Sequence, residues 1–90
     1  MSLDTDKMAP LRQRFLDSVR EQAERLEALL GTGDLESIRA LAHSLAGRSG
    51  MFGFTDLGAV AKLADEADAA TLPDRARDLL TALRGLSQGG

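Results

Sequence analysis

The chain has 90 residues, a net charge of −3, 43% hydrophobic and 28% charged residues, three Phe, neither Trp nor Tyr, and no cysteine. That length supports one domain around a single modest core, and the absence of cysteine excludes disulfide scaffolds, zinc fingers and thiol nucleophiles. An apolar set made mostly of Leu and Ala favours helices over sheet, and an acidic balance without aromatic-interleaved basic runs argues against nucleic acid as a partner.

The opening "MSLDTD" and closing "SQGG" carry no apolar periodicity and read as frayed ends of a domain spanning residues 1–90. From Pro10, apolar residues at Leu11, Phe15, Val19, Leu26 and Leu29 or Leu30 recur by helical turns, with proline suited to the first turn and Gly31 to the carboxyl-terminal cap. A helix over roughly 9–30 follows. Asp34 is a good amino-terminal cap for a second helix, roughly 34–52, whose stripe is Leu35, Ile38, Leu41, Ala42, Leu45, Ser49 and Phe52.

Thr55 or Asp56 can cap a third helix running to about residue 70, with Leu57, Val60, Ala61, Ala64 and Ala67 inward and Lys62, Asp65, Glu66 and Asp68 outward. Pro73 opens a fourth, roughly 73–86, with Asp74 in its first turn and a stripe of Ala76, Leu79, Leu80, Leu83 and Leu86. Four amphipathic helices joined by short connections predict an all-α, antiparallel up-down four-helix bundle. No run approaches a membrane span and no secretory signal opens the chain, so the reading is a cytoplasmic protein without membrane insertion.

The sole histidine, His43, lies on the second helix about 140° from the centre of its apolar stripe and therefore faces outward. Gly47 and Gly50 follow on the same side, although glycine in a helix interior costs roughly 1 kcal/mol against alanine. Helical side chains lean toward the amino terminus, so a large residue at position 47 would lie over the imidazole, and glycine keeps access to the ring open. Two alternatives stand beside this: His43 as an ordinary solvated residue, and a close helix contact as the reason for small residues at 47 and 50.

The stretch "AHSLAGRSGMFGF" resembles the signature of histidine-containing phosphotransfer (HPt) domains of bacterial two-component phosphorelays, with Leu45, Gly47, Ser49, Gly50, Phe52 and Gly53 at corresponding places. The resemblance covers roughly residues 10–86 and implies that His43 accepts a phosphoryl group from a receiver-domain aspartate or a kinase and passes it to a response-regulator aspartate. It implies a carrier and not a free-standing kinase, with receiver domains and a sensor histidine kinase as partners, acting as a monomer. No cofactor or metal of its own is expected, because the Mg²⁺ belongs to the receiver.

One departure stands out: the family has lysine where this chain has Ala46. Arg48 points about 140° from His43, whereas Arg39, one turn earlier and about 40° away, is the preferred substitute cation. The expected docking surface comprises Arg39, Ala40, Ala46, Gly47, Arg48 and Gly50, with Met51 or Phe54 as apolar contributors.

The alternative function is an HPt-like docking adaptor that binds a receiver or kinase without taking phosphate. An acyl carrier is disfavoured because its nearest match, "LDSV", lies inside a long helix, and the ligand spacings around His43 hold Arg39 and Gly47 in place of metal-binding side chains.

Overall fold

A computed structural model describes residues 7–89. It contains four helices and, among the described residues, no strand: α1 (Ala9–Thr32), α2 (Leu35–Met51), α3 (Thr55–Glu66) and α4 (Leu72–Gly89). No helix among the described residues is long and apolar enough to cross a membrane. The reading of "MSLDTD" as frayed lies outside the described residues.

The helices form a four-helix bundle in which α2 packs on α1 and α3, and α4 closes the ring by lying between α3 and α1. Neighbours run antiparallel. Along α1 and α4, Glu27 meets Arg84 at 2.6 Å, with Arg20 further along α1 lying toward Ser87. Between α2 and α3, His43 meets Asp65 while Ser49 and Gly50 lie opposite Gly58.

The stripes read from the sequence form the core: Phe15, Val19 and Leu26 from α1, Ile38, Leu41 and Leu45 from α2, Leu57, Ala61 and Ala64 from α3, and Leu79 and Leu83 from α4. Burying such side chains is worth about 1.5–3 kcal/mol each relative to exposure, which is what drives the helices together. Leu11, predicted on the apolar face, is 43% exposed in the first turn of α1. Phe52 and Phe54 pack on Phe15 with ring centroids 5.6 and 5.3 Å away, covering this end of the bundle.

The helix ends correct the sequence reading in three places. Helix α1 passes through Gly31 and stops at Gly33, whose φ of 73° suits glycine; the Gly33 and Asp34 amides both donate to the Leu29 carbonyl. Phe54, not Thr55 or Asp56, is the capping position of α3, and no side chain caps it.

Helix α3 ends at Glu66, short of the predicted residue 70, because Ala67 is extended and Asp68 organises a turn of its own. The Asp68 carboxylate accepts from the Thr71 amide and hydroxyl, both at 2.8 Å, leading directly into α4. These hydrogen bonds favour the ionised carboxylate, and the Thr71 hydroxyl followed by its amide holds the Asp68 pKa below its ordinary value. At its other end α4 continues beyond the predicted residue 86.

Candidate functional site

Helix α2 is fixed at both ends. Asp34 accepts from the Ser37 amide at 3.1 Å and the Ser37 hydroxyl at 2.7 Å, an amino-terminal cap that also holds the Asp34 pKa down through those same bonds, the hydroxyl first. At the far end Gly53 adopts φ 84°, and the Phe54 amide turns back to the Ser49 carbonyl at 2.8 Å. Between these caps the buried stripe sets the rotation of the helix. His43 consequently stands outside, its side chain 79% exposed.

The imidazole is nevertheless held. His43 Nδ1 lies 2.9 Å from Asp65 Oδ2 on α3, and Asp65 is three-quarters buried. An ionised carboxylate only accepts hydrogen bonds, so Nδ1 carries the proton and donates it. In neutral imidazole the Nε2 lone pair is then free, and a nucleophilic nitrogen faces the exposed side of the ring. The carboxylate also favours any positive charge that develops on the ring when Nε2 forms a bond.

Asp65 is itself located by Arg39, whose Nη1 donates to the Asp65 backbone carbonyl in the last turn of α3. That carbonyl has no partner within the helix, so a cation there satisfies it and complements the negative end of the helix. Arg39, Ala40, His43 and Asp65, with Leu35, Glu36 and Ala69, line a shallow cleft between α2 and the end of α3.

Gly47 and Gly50 are exposed, and a Cβ at either would meet nothing within 4 Å. Packing within the domain therefore gives no reason for small residues there. The glycine that does serve a close approach is Gly58 on α3, where a Cβ would lie 3.5 Å from the Ser49 side chain and 3.7 Å from the Gly50 amide nitrogen. Ala46 is half-buried at this crossing.

Arg48 is directed away from His43. Its guanidinium sits 5.7 Å from the Phe15 ring centroid, over α1. Met51 is 66% exposed, whereas Phe54 is half-buried against Phe15 and fills the bundle end.

The structure thus brings together Arg39, Ala40 and His43, keeps Gly47 and Gly50 open on the same side, and puts Arg48 elsewhere. Sequence reasoning placed Asp65 only among outward polar residues of the third helix. Its partnership spans 22 residues of chain, and only the antiparallel pairing of α2 with α3 reveals it. Among the described residues no group of three or more His, Asp or Glu side chains is arranged to hold a metal ion.

A family model described as an Hpt domain matches residues 10–88. Searches of curated proteins and of solved structures give no significant match.

Proposed function

Because the chain belongs to the Hpt domain family, whose members are phosphotransfer carriers of two-component systems, we propose that His43 is its phosphoryl acceptor and that receiver-domain aspartates are its donor and recipient. The observation that carries this is the exposed imidazole tethered through Nδ1 to Asp65, which leaves Nε2 as the nucleophile.

In the proposed reaction the Nε2 lone pair attacks phosphorus in line with the bond to a phosphoaspartate oxygen. The N–P bond forms, the P–O bond breaks, and its electron pair remains on the released carboxylate. The Nδ1 proton stays between the ring and Asp65, so the product is a phosphoimidazolium whose positive charge faces a carboxylate. Phosphoryl transfer needs alignment and neutralisation of charge more than covalent chemistry from the carrier. The Mg²⁺ that assists is the receiver's, so the chain carries phosphate without being a kinase.

The receiver docks over the exposed face around His43, with Ala40, Gly47 and Gly50 admitting its acidic pocket to the ring and Met51 extending the contact. Arg48, turned onto Phe15, is no part of this surface.

The test is exposure of the protein to a phosphorylated receiver, with intact-mass analysis and peptide mapping. An acid-labile adduct of one phosphoryl group on His43, absent in His43→Gln, is expected; the variant should melt like the wild type because the ring is exposed. A wild type that binds the receiver but never gains the adduct favours the docking-adaptor reading, which the alanine at position 46 motivates.

A further inference from the structure

A phosphoryl group on His43 would arrive at an electrostatically awkward place. The cleft is lined by the carboxylates of Glu36 and Asp65, and α3 directs the negative end of its dipole toward it. A dianion there needs a cation. Arg39 is engaged by the Asp65 backbone carbonyl, and Arg48 is stacked over Phe15 on the α1 side. Neither is disposed toward a group on Nε2.

One cation remains along the seam of α2 and α3. Position 62 lies between Gly58, which touches α2 at Ala46, Ser49 and Gly50, and Asp65, which touches His43. In an antiparallel pair fixed at those two points, residue 62 stands across from residue 46. Lys62 is about 40° from Gly58 and 60° from Asp65 on the helical wheel, on the rim that continues the exposed side of His43. It is exposed and has no hydrogen-bond or ion-pair partner among the described residues.

Building on the carrier reading, we infer that Lys62 supplies from α3 the phosphoryl counter-charge that Ala46 does not supply from α2. Its flexible four-carbon stem brings the ammonium to the phosphoryl oxygens once the N–P bond forms, and leaves it in water beforehand. The same cation on the opposite helix serves the same space. Lys62 acts on charge alone: it neither donates the proton at Nδ1 nor displaces the leaving group.

Phosphoramidate tests this without a docking partner. Nε2 attacks its phosphorus, the N–P bond of the donor breaks, and ammonia leaves with the bonding pair. Labelling rates and phosphohistidine half-lives are compared by intact mass for the wild type, Lys62→Gln, Lys62→Arg and the double variant Lys62→Gln/Ala46→Lys, each checked by thermal melting. One exposed cation beside a dianion is worth about tenfold. Lys62→Gln should therefore label about tenfold more slowly, Lys62→Arg should stay near the wild type, and Ala46→Lys should restore most of the loss.

Labelling of Lys62→Gln at the wild-type rate overturns the role of Lys62 while leaving the carrier reading intact. Failure of Ala46→Lys to rescue a slow Lys62→Gln also overturns it, since the effect would then not be charge in that space. A wild type that takes no label, beside a control HPt domain that does, overturns the carrier reading and this inference with it.

Discussion

Replacing Gly47 with leucine should make the domain more stable and a worse partner. Position 47 is in the interior of α2, and a Cβ there meets nothing within 4 Å. No clash opposes the substitution, so the helix-propensity gain of about 0.7 kcal/mol should be realised nearly in full. For a domain of this size that corresponds to about 4 °C in Tm. The new side chain leans one turn back, over His43. A receiver must bring its acidic pocket down onto the ring, whereas phosphoramidate needs only a small opening. Circular dichroism melting should thus show a rise, transfer from a phosphorylated receiver should fall at least tenfold, and phosphoramidate labelling should be affected far less. Receiver transfer at the wild-type rate would refute the clearance argument, and a lowered Tm would mean that this face is packed.

Asp65→Ala should release the ring: the Nδ1–H tautomer of His43 loses population in nitrogen-resolved NMR and labelling slows about fivefold, the scale of an exposed charged contact; an unchanged tautomer would remove Asp65 from the mechanism. Gly58→Leu should cost about 1–3 kcal/mol by overpacking the α2–α3 crossing, and should reduce labelling because it moves Asp65 away from His43; a melt indistinguishable from the wild type would refute the close approach. The pKa values of Asp34 and Asp68 lie below the ordinary 3.8. Their contribution to stability is complete above that pH and is lost as pH falls through the lower folded values. A double Asp34→Asn/Asp68→Asn variant, which keeps the capping geometry, should lose less Tm on acidification below 3.8 than the wild type; parallel curves would contradict this.

The bundle was legible because local pattern and global fold agree. The stripes through Ile38, Leu45, Ala61 and Leu83 are periodic in sequence and buried in space. Asp34 was legible as a cap because its role is satisfied by Ser37, three residues away. The early end of α3 was hidden by an alanine-rich run that has high helix propensity; the competing signal was Asp68 followed three residues later by Thr71, a side-chain turn that outweighs it.

At the site, the outward direction of His43 follows from the wheel, whereas its partner does not. Asp65 and Lys62 looked like ordinary solvated positions because the register between α2 and α3 depends on where Gly58 allows the backbones to approach. Arg39 was near the site as expected, yet its guanidinium turned to a helix-end carbonyl, a demand set by where α3 stops.

The weakness of the hold on His43 has a consequence for reversibility. Any free energy by which Asp65 steadies the phosphoimidazolium is subtracted from the group-transfer potential of the phosphohistidine, and a deeply buried pair would turn the carrier into a sink. With the ring 79% exposed, water screens the pair to about 0–1 kcal/mol, a bias of at most roughly fivefold. The bond stays nearly as energetic as an unassisted phosphohistidine. Direction is then left to the relative loading of the proteins on either side.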